Sequence, residues 1–485
     1  MQSNLQEYDM KVKMILPSLM ESGTAMYRPI KYSLFPPLGL ASLAAHLPYD
    51  WEVELIDQHV MELELNDQPD LVMIEVCITN ARRAYAIADH YRSLGCFVVL
   101  GGLHVTSLPQ EASQHADVIF TGPADHSFPQ FLKEWVRRSH QRHYFGNERS
   151  LKGVPLPRRD LIQRDKYLVP NSLVVSRGCP HHCTFCYKDN FYQGGRSFYT
   201  QEVDRALEDI HGLPGRHLYF LDDHLLGHQG FARSLFSGLK GGGRLFQGAS
   251  TIDAIVDGDL IECAVEAGLR SVFIGFESIS TRSLEMAGKR QNLRSNANRA
   301  IKRLHDLGVR INGSFVFGLD GDDADVFDRT VEWAVHHGLT TATFHIATPY
   351  PGTRFHAEMK RQDRILHEDW ELYDTRHVVF QPLNMSSEQL LAGYHRAYKE
   401  FYRLSNIWTA SLGREYSIDS LRQFAYSIGW KKFEPLWRLL IQTGQLQKSR
   451  KWLEGVLDGT RPKEVHGETL FCETKTRETF TERTA

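Results

Sequence analysis

Short apolar, β-branched runs recur along most of the chain, each separated from the next by enough residues for a helix. This pattern limits the fold more than any other feature of the sequence. Runs at Val12–Leu16, Glu52–Ile56, Leu71–Val76, Val98–Leu100 and Val118–Phe120 have the length and composition of strands buried on both faces. Helical segments are predicted between them at Leu38–His46, Ala81–Leu94 and Ser127–Arg138. A second series begins near Ser172, with strands expected at Leu173–Ser176, Leu218–Leu221, Leu245–Ala249, Val272–Phe276, Ile311–Phe317 and Thr343–Ala347. Gaps of roughly 25–45 residues between these leave room for a crossover helix each time, so parallel pairing follows. The fold class is therefore α/β. We expect a doubly wound open sheet over 11–145, a linker over 146–170, and a partial (β/α) barrel resembling a TIM barrel over 171–375. A helical region over 376–460 and a polar tail over 461–485 complete the chain.

Composition sets further bounds. The 485 residues exceed one core, and 42% hydrophobic with 24% charged residues describes a soluble globular protein. A net charge of −3 argues against a broad nucleic-acid-binding surface, and no apolar run is long enough to span a membrane. The N-terminus lacks the pattern of a secretory signal. Seven cysteines, three of them closely spaced, favour metal ligation in a reducing cytoplasm over a disulfide framework.

The three are Cys179, Cys183 and Cys186, on a loop directly after a predicted strand. Their spacing can present three thiolates to one iron–sulfur cubane and leave its fourth iron without a protein ligand. The alternatives are a zinc site completed by His181 or His182, or buried unliganded cysteines. Asp222 and Asp223 follow the next strand and could equally cap a helix. Glu277 and Ser278 end another strand, where a salt bridge would account for the glutamate.

Cys-x3-Cys-x-Phe-Cys after a first barrel strand resembles the signature of the radical S-adenosylmethionine (SAM) superfamily. Phe220-Leu-Asp-Asp-His224, Ile274-Gly-Phe-Glu-Ser278, Gly313-Ser-Phe-Val-Phe-Gly-Leu-Asp-Gly321 and Thr348-Pro-Tyr-Pro-Gly-Thr353 resemble its later motifs, in order. The resemblance implies a [4Fe–4S] cluster on the three cysteines, with SAM near Asp222, Asp223, Glu277 and Ser278. Phe35-Pro-Pro-Leu-Gly-Leu-Ala-Ser-Leu-Ala44, Val53-Glu-Leu-Ile-Asp57 and Leu100-Gly-Gly-Leu-His-Val105 are similar to the cobalamin-binding subgroup. The stretch Trp370–Phe380 resembles the extension of members such as hopanoid methylases. Gly101 and Gly102 would then let backbone approach cobalamin, or simply make a tight turn. Where relatives carry a Gly-Glu-Gly-Glu-like stretch, this chain has Gly122-Pro-Ala-Asp125.

Asp57-Gln-His59 is similar to a cobalt-ligating motif, but it follows the second strand and Glu62 stands in the glycine position. His59 is therefore read as a surface histidine and cobalamin as lacking a protein histidine. Thr79 and Asn80 face the corrin or cap a helix. The resemblance implies radical C-methylation of an unactivated centre in a small-molecule or natural-product substrate, with flavodoxin or ferredoxin as electron donor. The rivals are radical oxidation or cyclisation without methyl transfer, and a cobalamin or iron–sulfur sensor. Tyr350, His224 and His345 are substrate-pocket candidates. Cys77, Cys96 and Cys263 are read as small core residues, and Cys472 as incidental.

Overall fold

The computed structural model describes residues 10–19, 34–193, 197–294, 296–412, 417–432 and 446–458. The expected tail and Cys472 lie outside the described residues. Six parallel strands build the first sheet: β1 (Lys11–Leu16), β2 (Glu52–Asp57), β3 (Leu71–Glu75), β4 (Phe97–Gly101), β5 (Val118–Thr121) and β6 (His143–Phe145). Their spatial order is β2-β1-β3-β4-β5-β6, so the winding reverses between β1 and β3. Alternate residues of these apolar runs enter separate cores on the two faces. One face packs on α1 (Leu38–Ala44) and α3 (Ser127–Val136), the other on α2 (Ala81–Ser93). The short β6 is not among the expected strands: His-Tyr-Phe buries only its central residue, too little to register as an apolar run.

The second sheet is also six-stranded and runs in sequence order: β7 (Ser172–Leu173), β10 (His217–Phe220), β11 (Leu245–Ser250), β12 (Leu269–Glu277), β13 (Arg310–Phe317) and β14 (Thr341–Ile346). All its pairings are parallel. This is a partial barrel. Its first strand is shorter than Leu173–Ser176 because the Val175 and Ser176 amides donate to the Asp222 carboxylate instead of to a neighbouring strand. The chain then enters a separate antiparallel ribbon of β8 (Ser176–Gly178) and β9 (Phe198–Thr200).

An incomplete barrel leaves the edge of β14 exposed, and an open edge invites pairing with other chains. Helix α4 (Ser387–Phe401), started by a reciprocal cap between Ser386 and Gln389, covers it. The Tyr402 hydroxyl donates to the Ala342 carbonyl at 2.9 Å and accepts from the Ala342 amide at 3.2 Å. Tyr398 does the same for Phe344. Three further helices follow among the described residues: Leu404–Leu412, α5 (Ser417–Lys432) and α6 (Leu446–Asp458). No helix among the described residues is long and apolar enough to cross a membrane.

Tyr402→Phe keeps the ring and removes both bonds to Ala342, leaving buried backbone groups unpaired. We expect a loss of about 1–3 kcal/mol in urea unfolding. Tyr49→Phe, at an 88% exposed position, should be silent. Equal stability of Tyr402→Phe and wild type would show that the hydroxyl does not seal this edge.

Candidate active site at the domain junction

The cysteine loop is held at its base by the β8–β9 ribbon, where the Cys179 amide donates to the Ser197 carbonyl at 2.9 Å. Gly178 has φ +77°, and a Cβ there would stand 2.0 Å from the same carbonyl, so the loop closes this tightly only with glycine. Asp222 anchors the other side. It accepts from the Val175 amide at 3.1 Å, from the Ser176 amide, and from the Ser176 hydroxyl at 2.5 Å. Asp222 is thus no helix cap; it ends β7 and aims the loop. Burial pushes its carboxyl up to about 7 against these donors.

Cys179, Cys183 and Cys186 share this loop, and burial raises all three thiols, to about 11 for Cys179 and about 12 for Cys186. Their mutual repulsion as thiolates adds to the shift. Among the described residues no three His, Cys, Asp or Glu side chains are gathered tightly enough for a single metal ion. A cubane holds its thiolates further apart than one ion does, and the donor set suits it. Ligation must displace the thiol protons, so loading couples to deprotonation. Gln291 Nε2 donates to Cys183 Sγ at 3.8 Å.

Glu277 ends β12 in a left-handed conformation, φ +64°, which is strained for a residue with a Cβ. Its Oε1 pairs with Lys289 Nζ at 2.8 Å, and both side chains are buried. Burial works against the ammonium, but Glu277 and the nearby cysteines more than offset it and raise the Lys289 pKa. Gly275 makes room: a Cβ there would lie 2.3 Å from Glu277 Oε1. The sequence reading missed Lys289, since nothing in Ala-Gly-Lys-Arg marks a buried cation. Asp223 is exposed and accepts from Tyr187 at 3.1 Å, while Ser278 is buried and accepts from the Ser280 amide.

The carboxyl ends of the first sheet face this loop. Arg177 of β8 reaches Asp125 at 2.8 Å, Asn190 donates to Ser107 at 2.8 Å, and Tyr167 donates to Asp57 at 3.0 Å. Asp125, in the departed Gly-Pro-Ala-Asp stretch, is thus an interdomain tie. Between the two units lies a mostly apolar cavity of about 370 Å³, walled by Cys77–Thr79, Leu103, His104, Tyr187, Tyr350 and Tyr373–Thr375, among others. Thr375 also adopts a left-handed conformation, φ +67°. A second cavity of about 200 Å³ sits beyond β3, β4 and β5, against Gly39, Glu75, Gly101, Gly102 and Phe120. Gly102 has φ +111°, and a Cβ would meet the Val76 carbonyl at 2.8 Å. The apolar walls of the first cavity and the glycine floor of the second fit a large flat group with an appended tail.

Several expectations need correction. His59 is no surface residue: it is buried, with Nδ1 2.7 Å from Asp57, whose other carboxylate oxygen accepts from Tyr167. It lines neither cavity. Cys77 is not core but a cavity wall, since its segment leaves the sheet before reaching it; Cys96 and Cys263 are buried. Thr79 lines the cavity, whereas Asn80 caps the turn, accepting from the Cys77 amide at 2.8 Å. Tyr350 lines it too, and His345 bonds Thr375 at 3.1 Å. His224 is elsewhere, bonded to Thr251 and stacked on His181 of the cysteine loop; burial lowers it to about 4.

Comparison with known proteins places this geometry. Residues 173–334 match the Radical SAM superfamily and residues 32–132 match the B12 binding domain. The chain is 28% identical over 449 residues to bacteriochlorophyllide d C-8(2)-methyltransferase of Chlorobaculum tepidum, covering 88% of this chain and 96% of that one. It is 27% identical over 391 residues to the C-12(1)-methyltransferase of the same organism, covering 78% and 85%. The cobalamin-dependent S-adenosylmethionine radical enzyme OxsB, solved with aqua-cobalamin and S-adenosylmethionine, superposes with a TM-score of 0.64 at 14% identity, over 92% of this chain and 79% of that one. The chain is a radical SAM enzyme. It belongs to the group of that superfamily in which a B12-binding domain precedes the barrel.

Asp222 generates a pH test. Its folded-state carboxyl lies above the ordinary value near 4, so the folded state binds the proton more tightly than the unfolded chain does. The resulting stability is full below about pH 4 and lost as pH rises through about 7. Asp222→Asn removes that dependence. Its urea midpoint should gain on wild type between about pH 5 and about pH 8. Parallel behaviour of the two proteins would contradict a buried, proton-binding Asp222.

Proposed function

We propose that the chain is a cobalamin-dependent radical SAM C-methyltransferase acting on an unactivated carbon of a small-molecule or natural-product substrate. The observation that carries this is one shared cavity: Tyr187 of the cysteine loop and Cys77–Thr79 of the first sheet wall the same space. A cluster site and the natural ligand crevice of a doubly wound sheet thus open onto each other. The methyltransferase relatives support the same reading.

Cys179, Cys183 and Cys186 would hold the cluster; Asp223, Glu277 and Ser278 would meet SAM, with Asp222 holding the loop that positions it. Gly101 and Gly102 would let backbone approach cobalamin, without His59 on cobalt. When bound, the cluster supplies the electron that cleaves SAM and cobalamin carries the methyl group. The protein orients the reactants and excludes water through the apolar walls around Tyr350 and Tyr373. Glu277, already fixed by Lys289, offers its second oxygen without reorganisation. In this reading residues 11–145 form the cobalamin unit, 171–375 the barrel and 376–460 the helical cover, joined by 146–170. A reduced flavodoxin or ferredoxin in the cytoplasm would supply the electron.

The test uses anaerobically reconstituted holoprotein, reductant, and SAM with a deuterated methyl group, incubated with metabolite extract. We expect 5′-deoxyadenosine together with a product one labelled methyl heavier. The Cys179→Ala/Cys183→Ala/Cys186→Ala variant should lose its iron, bind cobalamin normally and make neither product. Turnover that consumes SAM while leaving every product unlabelled would overturn methyl transfer and favour oxidation or cyclisation.

A further inference from the structure

The end of the barrel remote from the cysteine loop holds a cavity of about 290 Å³ that the reaction does not use. It lies in the gap between the two edge strands, at the amino-terminal halves of the strands. His217 and Thr341 are the first residues of β10 and β14, and Asn312 is the third of β13. Helix α6 closes it from outside with Arg450, Glu454 and Leu457. The walls are mainly rings: Phe35, Tyr219, Phe273, Tyr398, Tyr402 and Tyr426.

Three polar groups on these walls have no hydrogen-bond partner among the described residues. Arg450 Nε and Nη2 are buried and unpaired. Glu454 and Asp165 attract the guanidinium electrostatically without closing to ion-pair distance. Tyr219 and Gln247 also line the cavity, and neither side chain makes a hydrogen bond among the described residues. Arg376 lines it as a second cation. A barrel floor packed only for stability would fill this space with apolar side chains, and it would not leave a guanidinium unpaired on its wall. The unpaired Arg450 guanidinium gives a largely aromatic chamber one cationic end.

We propose that this cavity is a second ligand site, taking an organic monoanion with a flat apolar body, its carboxylate on Arg450 and its ring among the tyrosines. The site stands apart from the cofactors, so it does not depend on the reading of the reaction. An occupant would brace α6 against both barrel edges.

The probe is 2-naphthoate, titrated by calorimetry into the full-length protein, with 2-naphthalenemethanol as its neutral counterpart. We expect saturable binding, with the carboxylate at least tenfold tighter. Arg450→Met should erase that preference without lowering the thermal midpoint, because the guanidinium bonds nothing at these two atoms. Arg450→Lys should retain part of the preference, and Phe273→Trp, which fills the chamber, should weaken both probes. Absence of saturable binding, or the same carboxylate preference in Arg450→Met, overturns the proposal. A fall in midpoint with binding unchanged does so too, by showing that Arg450 is structural.

Discussion

One buried carboxylate decides where the site begins. Asp222 takes the amides of Val175 and Ser176, and that capture ends the first barrel strand two residues after it starts. Released from the sheet, the chain turns into the β8–β9 ribbon, and Gly178 lets the ribbon close against Ser197. Everything the cysteine loop does depends on this departure. Had the strand continued, its backbone donors would have been used in the ladder and the loop would emerge further along and unclamped. The loop then carries Arg177 to Asp125, Asn190 to Ser107 and Tyr187 to the interdomain cavity. One carboxylate thereby sets both the cluster loop and the seating of one domain on the other.

The second recurring device is backbone geometry reserved for a site. Glu277 and Thr375 are non-glycine residues held in left-handed conformations, one beside the cysteine loop and one on the cavity wall. Such strain survives only where surrounding contacts over-determine it. For Glu277 those contacts are visible: Lys289 pairs with its carboxylate, Asn292 bonds the Gly275 and Phe276 carbonyls, and Gly275 leaves the room. A buried pair of this kind contributes little net stability, since both charges are taken from water. Its effect is to fix the carboxylate in place.

Much of the architecture was legible because apolar periodicity and strand burial are the same physical fact. Strands buried on both faces must be runs of apolar residues, and β1 to β5 and β10 to β14 read directly as such. What escaped was short or polar. β6 buries one residue, the truncation of β7 depends on an aspartate nearly fifty positions away, and Lys289 becomes a buried ion only because Glu277 meets it. His59 misled in the same way: read as a surface residue because it follows the wrong strand for a cobalt ligand, it is buried beside Asp57, whose carboxylate Tyr167 meets from 110 positions along the chain.

By itself the sequence determined the two α/β units, their order, and the cysteine spacing that suits an open-cornered cluster, because local periodicity and local spacing survive without knowledge of partners. Only the tertiary structure decided which side chains meet. It turned Asp222 from a cap into the anchor of a loop and Asp125 from an odd substitution into an interdomain tie. It also made Cys77 a cavity wall and left Arg450 unpaired at the barrel floor. Each of these outcomes joins residues far apart in the chain, and the energy of a buried polar group depends on the partner it finds there.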